Sequence, residues 1–361
     1  MKNIAICIGT RPNMIKVTQF KRLLPHFKGL EIDLIHTGQH YDDKMAQVFF
    51  DQFNMRPDHQ ISLEAKEPAA QMGEMMLKLN ERFKESRPDL VLVPGDVNST
   101  FAAALTAFKM NIPVGHIESG LRSFDRTMPE ELNRILTDEI TDHFFVTEPS
   151  GLENLRKEGK DETAIHFVGN TMIDTLVHFD QEIEASCIID ELGIESGEYG
   201  LLTFHRPANV DNSKAQQQLI ELLREVSKAS MYVFPVHPRT KKAMESSGLW
   251  NDISSLSNII LTEPLGYFEF QQLVKYAKVV ITDSGGIQEE TTYRKVPCIT
   301  LRPNTERPIT TSIGSNVLLP FEVTKVMEQV SHVEELKKHA KVPDLWDGRA
   351  TYRILKAIHE G

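Results

Sequence analysis

Short aliphatic and β-branched runs alternate with stretches of helical periodicity along almost the whole chain. NIAICIG (3–9) leads into MIKVTQFKRLLPHF, and EIDLIHTG (31–38) leads into a segment rich in Met and Phe. LVLVPGD (90–96), PVGHIES (113–119), HFFVTE (143–148) and IHFVGN (165–170) follow, most with a helix-compatible stretch behind them. After a charged connector the pattern restarts with YGLLTFH (199–205), MYVFPVH (231–237), NIILTEP (258–264), VVITDSG (279–285) and PCITLR (297–302). Apolar runs of this length, bounded by Gly and Pro, suit parallel strands covered on both faces. Two such series predict an α/β protein of two Rossmann-like, doubly wound parallel-sheet domains, 1–170 and 171–361, with a cleft between them. The amphipathic GRATYRILKAIHE predicts a terminal helix, about 348–361, that packs back on the N-terminal domain.

Composition narrows the partners more than the fold. A net charge of −11 over 361 residues argues against nucleic acid or an anionic membrane as the main partner. It leaves room for a small anionic ligand gripped by a few Arg or Lys. Cys7, Cys187 and Cys298 are scattered and lack C-x-x-C spacing, so neither a disulfide framework nor a zinc site is expected. The opening MKNIAICIGTRP reads as a strand rather than a signal peptide, and no apolar run nears the ~20 residues of a membrane span. A cytoplasmic protein is expected.

In open parallel sheets, ligands bind beyond the carboxyl ends of the strands, so the residues there carry the candidate chemistry. The loops carry Gly9-Thr10-Arg11, Gln39-His40, Asp96, Glu118, His205-Arg206, His237 and Ser284-Gly285-Gly286. Asp283-Ser284-Gly285-Gly286 has the look of a trypsin-type nucleophile loop. Such a serine needs an all-β scaffold, and the G-x-S-x-G elbow of the α/β-hydrolases is missing. The loop is instead a phosphate cradle at a helix N-terminus, or a tight turn with Ser284 as N-cap; the stretch alone leaves both open. Glu289 and Glu290 either support the helix dipole or meet a ribose diol. Arg307 of NTERP is placed to join an anion site, and Arg11 and Lys16 flank a Pro-initiated helix as anion-binding or solvated charge. Asp96, Glu118 and Glu131, if they face one cleft, suit proton transfer. His205 and His237 lack a third metal ligand at usable spacing, so imidazole and Arg206 beside a phosphate is the preferred reading. The first strand–turn–helix lacks G-x-G-x-x-G, which argues against a nicotinamide cofactor, and no cofactor is expected.

GTRPNMIK, TGQHYDDKM, PGDVNST, GHIESGLRS, PEELNR, GNTMID, HRPANVD, PVHPR, TDSGGIQEE and TERP occur in this order over nearly the whole chain. Together they resemble the non-hydrolysing UDP-N-acetylglucosamine 2-epimerases of the GT-B-like superfamily. The resemblance implies binding roles for Arg11, Lys16, Asp96, Glu118, His205, Phe270, Ser284, Gly285, Gly286, Glu290 and Arg307. It matches Asp96, Glu118, Glu131 and His205 to catalytic positions. Arg134 of PEELNR, with Arg206 and His237, completes the expected substrate-binding set. The resemblance also implies that Glu290 holds the uridine ribose, that Ser284 to Gly286 and Arg307 hold the diphosphate, and that the protein is a homodimer. Asn13 and Ala208 stand where the family usually has Glu, and Leu265 where some members place Gln.

The reaction so implied is reversible inversion of C2 in UDP-N-acetylglucosamine to give UDP-N-acetylmannosamine. Removal of the C2 hydrogen and expulsion of UDP from C1 would give a 2-acetamidoglucal, and re-addition with protonation on the other face the epimer. Asp96 and Glu131 are favoured for the proton transfers, with Glu118 orienting the sugar. The alternatives are a modified 2-acetamido sugar (6-deoxy or 2,3-diacetamido), a GT-B glycosyltransferase, a hydrolysing epimerase, and a nucleotide-sugar sensor without turnover.

Overall fold

A computed structural model describes residues 1–39 and 43–361; His40, Tyr41 and Asp42 of the TGQHYDDKM motif lie outside the described residues. The chain divides into two compact units, one of Met1–His178 with Asp344–Gly361 and the other of Phe179–Pro343. The first unit thus runs past Asn170, because the helix Thr171–His178 packs on the helix Arg11–Val17 and on the C-terminal helix Ala350–Glu360.

Seven strands build the sheet of the first unit: β1 (Lys2–Ile8), β2 (Leu30–His36), β3 (His59–Gln60), β4 (Leu90–Pro94), β5 (Val114–Ile117), β6 (His143–Val146) and β7 (Ile165–Phe167). Their order is β3-β2-β1-β4-β5-β6-β7 and every pairing is parallel. The second unit holds β8 (Tyr199–Thr203), β9 (Met231–Pro235), β10 (Ile259–Thr262), β11 (Val279–Thr282), β12 (Cys298–Leu301) and β13 (Asn316–Leu319). They run parallel in the order β10-β9-β8-β11-β12-β13. The strand order reverses between β1 and β4 in one sheet and between β8 and β11 in the other. In open α/β sheets that is where ligands bind.

The continuous apolar runs follow from burial on both faces. Leu202, Ile281 and Ile299 point into one core of the second unit, whereas their neighbours Leu201 and Val280 point into another beneath the opposite face. A strand so placed has no solvent side on which to carry polar residues. The covering helices show the expected one-sided burial. On Ser213–Ala229 the buried Ala215, Leu219, Leu222, Leu223 and Val226 recur at helical spacing, and the Asn212 side chain caps the helix by accepting from Ala215 N at 2.9 Å.

Two strands lay outside the sequence pattern. β3 has two residues and no apolar run, and β13, NVLL, is four residues long. The C-terminal segment is tied into the first unit by specific bonds. The Asp174 carboxylate accepts from Ala350 N (3.0 Å) and Thr351 N (2.6 Å) at the start of the terminal helix. The buried Trp346 indole donates to Thr147 O at 3.0 Å. Among the described residues no helix is long and apolar enough to cross a membrane.

Candidate active site

In the first unit the acids gather at the ends of β4 and β5. β4 stops at Pro94, and Gly95, at a φ of +69° that disfavours any side chain, turns the chain so that Asp96 follows. β5 stops at Ile117, and Glu118 comes next with its own φ at +72°. A non-glycine residue in the left-handed region carries a conformational cost that its surroundings must offset. Here Glu118 N donates to Phe145 O at 3.0 Å, and Lys16 Nζ donates to Glu118 Oε2 at 2.6 Å. Both charges are buried, with side-chain exposures of 5% and 2%.

Glu131 enters from the helix Pro129–Glu139, whose first residue is proline and whose next turn continues the same face with Arg134. Glu131 Oε1 accepts from Phe124 N at 2.9 Å, and Oε2 from both Ser123 N and Ser123 Oγ at 2.9 Å. Arg134 bridges two of the acids. Its Nε donates to Asp96 Oδ2 at 2.9 Å while another guanidinium nitrogen binds Glu131 Oε2. Arg134 thus ties Asp96 to Glu131, and the Lys16–Glu118 pair lies beside Gly95, the residue before Asp96, where an added Cβ would stand 2.9 Å from Lys16 Nζ. Of the acids, Asp96 keeps the most exposure at 20% of its side chain. The Arg11 guanidinium stands 4.8 Å over the Phe49 ring. Asn13 is an internal brace: its amide donates to Pro94 O at 3.0 Å and accepts from Gly9 N at 3.2 Å, joining the first loop to the end of β4.

In the second unit the ends of β8 and β11 meet through a residue that the loop reading passed over. Asp283, fully buried, accepts from Arg206 N at 2.9 Å and from His205 N, and its Oδ1 lies 2.9 Å from His205 Nδ1. Burial would raise this carboxyl, but the hydrogen bond and charge of His205 and the backbone amides outweigh it and hold Asp283 below its ordinary value. The His237 ring sits 5.5 Å from that of His205, and its Nδ1 caps the helix Pro238–Ser246 by accepting from Arg239 N.

Ser284 occupies the N-cap position of the helix Gly285–Arg294, yet its hydroxyl makes no capping hydrogen bond to the first turn among the described residues. The first-turn amides face outward at the positive end of the dipole, the arrangement that favours an anion. A Cβ on Gly285 would lie 2.9 Å from Glu306 Oε1, 3.0 Å from an Arg307 nitrogen and 3.5 Å from an Arg302 nitrogen. Two arginines thus reach this turn, and both are held by carboxylates: Arg302 by Glu306 at 3.0 Å, Arg307 by Glu289 at 2.8 Å and by Glu306. Glu290 lies deeper in the helix. Burial pushes it up to about 7 against the Gln271 hydrogen bond and the Arg294 charge. Phe270, next to Gln271 on the helix Tyr267–Tyr276, packs against the core that contains Ile287.

Gathered at the strand ends of the second unit are His205, Arg206, His237, Ser284, Gly285, Gly286 and Arg307. Sequence reasoning missed Asp283, Arg302 and Glu306 here, and His116 and Asp138 in the first unit. Asp138 had a usable signal, since it lies seven residues after Glu131 and hence on the same helix face.

A sequence model of the UDP-N-acetylglucosamine 2-epimerase family matches residues 24–359. The chain belongs to this family. Its members are isomerases. The UDP-N-acetylglucosamine 2-epimerase of Methanococcus maripaludis is 39% identical over 99% of this chain and 98% of its own length. The UDP-2,3-diacetamido-2,3-dideoxy-D-glucuronate 2-epimerase of Pseudomonas aeruginosa is 35% identical, over 88% of each chain. The crystal structure of the Methanocaldococcus jannaschii UDP-GlcNAc 2-epimerase, in complex with UDP-GlcNAc and UDP, is similar with a TM-score of 0.92 at 37% identity, covering 99% of this chain and all of that one. Both parallel sheets agree with the two-domain, GT-B-like architecture of these structures.

Proposed function

We propose that this protein interconverts UDP-N-acetylglucosamine and UDP-N-acetylmannosamine by eliminating UDP and adding it back. The observation that carries the reading is the set of Asp96, Glu118 and Glu131, paired with Lys16 and Arg134, in a chain whose second unit presents an anion-binding turn flanked by arginines. Names of relatives and the ligands of the Methanocaldococcus structure point the same way.

The C2 hydrogen of a 2-acetamido sugar has no adjacent carbonyl to acidify it, so its removal is coupled to loss of a good leaving group. A carboxylate takes the C2 proton, the C–H electrons form the C1–C2 double bond, and the C1–O electrons leave with UDP. Re-addition of UDP to C1 with protonation of C2 from the other face gives the epimer. Donors on the departing diphosphate stabilise its growing charge, and a placed acid or base supplies about 10²–10⁴-fold. Under this reading Ser284, the first-turn amides and Arg307 take the diphosphate, and Glu290 the ribose. Arg206, His205 and His237 border that site. Asp96 is better placed than Glu131 for proton transfer, because Glu131 is committed to Ser123, Phe124 and Arg134 whereas Asp96 keeps exposed surface. Glu118, neutralised by Lys16, orients the sugar.

The relative that acts on a 2,3-diacetamido glucuronate favours one second reading, in which the sugar is a modified UDP-2-acetamido sugar. Separate incubations with UDP-GlcNAc and with a UDP-2,3-diacetamido sugar in heavy water, followed by NMR at C2, test both. Deuterium at C2 with a manno product supports the first reading. Exchange confined to the diacetamido substrate supports the second, and exchange on neither refutes epimerisation. The reading also carries over a cytoplasmic location and a homodimer from the family resemblance, and light scattering on the eluted protein checks the latter.

A further inference from the structure

The loops carrying Asp96 and Glu118 rest on one buried charge network that sequence reasoning passed over. His116, on β5, has no exposed surface, and each of its ring nitrogens faces an acceptor: Nδ1 lies 2.6 Å from Asp138 Oδ1 and Nε2 lies 2.7 Å from Gly95 O. A backbone carbonyl only accepts, and Asp138 is held below its ordinary value because the His116 and Arg122 charges outweigh its burial. The ring thus bridges the Asp138 carboxylate and the Gly95 carbonyl. The other oxygen of Asp138 accepts from Gly120 N at 3.0 Å and meets Arg122 at 2.7 Å. One end of the network thus grips the carbonyl just before Asp96, and the other grips the amide two residues after Glu118. Gly95, Glu118 and Gly120 all have positive φ, at +69°, +72° and +78°. Of the three only Glu118 pays for a side chain in that region, and the bonds to Gly95 O and Gly120 N fix the backbone on either side of the two acids.

We propose that His116 and Asp138 are positioning residues that set the carboxylates of Asp96 and Glu118 for the C2 chemistry; the inference rests on the epimerase reading. An ordinary core histidine needs only a satisfied ring. This one fixes both acid-bearing turns, so its loss moves reacting groups rather than only loosening the core.

The test uses the full-length protein with H116Q, D138N and the double variant, each confirmed folded by its urea transition. Each single variant lowers kcat for C2 exchange about 10–100-fold, the usual scale for residues that orient a reacting group, while KM and UDP affinity stay within about twofold. Because the two act as one unit, the double variant is no slower than the worse single one. Single variants with wild-type kcat, or losses that multiply in the double variant, overturn the inference. If the wild-type enzyme exchanges no UDP-sugar, the epimerase reading fails separately. The 13C titration of the Asp96 carboxyl then decides: shifted by H116Q it upholds the positioning, unshifted it overturns it.

Discussion

Lys16 Nζ and Glu118 Oε2 meet at 2.6 Å across 102 residues of sequence, both almost without solvent. Burying the pair costs desolvation that its attraction only offsets, but removing one member strands the other. Lys16→Met is expected to destabilise the first unit by about 3–5 kcal/mol, and Lys16→Met with Glu118→Gln by clearly less. Urea denaturation of the three proteins checks the order; a single variant as stable as its double counterpart would contradict it.

Asp96→Asn keeps the shape and loses the base. C2 deuterium exchange is expected to fall by at least about 10²-fold while UDP still binds, because the nucleotide is assigned to the second unit. Exchange NMR and calorimetry with UDP measure the two separately.

Gly285→Ala places a methyl group against side-chain ends rather than backbone, 2.9 Å from Glu306 and 3.0 Å from Arg307. Those ends are flexible but buried and paired with Glu289 and each other, so the methyl group displaces a buried ion pair. The guanidinium leaves its position at the helix turn. UDP binding is expected to weaken about 10-fold or more, read by calorimetry, and the thermal midpoint to fall with it.

Glu290 gives a pH signature with a definite sign. Burial raises its carboxyl from 4.5 to about 7. The folded protein therefore prefers the protonated acid. That preference contributes fully below about 4.5 and is lost as pH rises through about 7, a span worth roughly 3 kcal/mol. Asp174, raised by burial to about 6, contributes with the same sign in the lower part of the window, so the comparison needs a variant. In Glu290→Gln the fall in stability from pH 5 to pH 7.5 is expected to flatten, as read from urea midpoints. An unchanged slope would assign it elsewhere.

Much of the architecture was legible because doubly covered parallel strands leave a signature that few other arrangements share. Val91 to Val93 and Val279 to Ile281 are apolar in unbroken runs since neither side of either sheet meets water. β3 escaped because two residues carry no period; β13, as long as β10, β11 and β12, was passed over without a physical reason. The loop positions were legible where residue type and strand end coincided, as at Asp96 and Ser284. Legibility failed where a side chain acts on a residue far away in sequence. Asp283 looked like part of a glycine turn, yet it organises His205 and Arg206 from 78 and 77 residues away. Lys16 looked ready for an anionic ligand, but its partner in this structure is Glu118. Pairings of this kind depend on which strands lie side by side, and local patterns do not encode that adjacency.

The return of residues 344–361 to the first unit bears on what a shortened chain would keep. All of Phe179–Pro343 precedes Trp346 and the Ala350–Glu360 helix in the chain, so a chain cut after Pro343 would keep every residue of the second unit, whereas its acid-bearing unit would lack both the indole bonded to Thr147 and the helix held by Asp174.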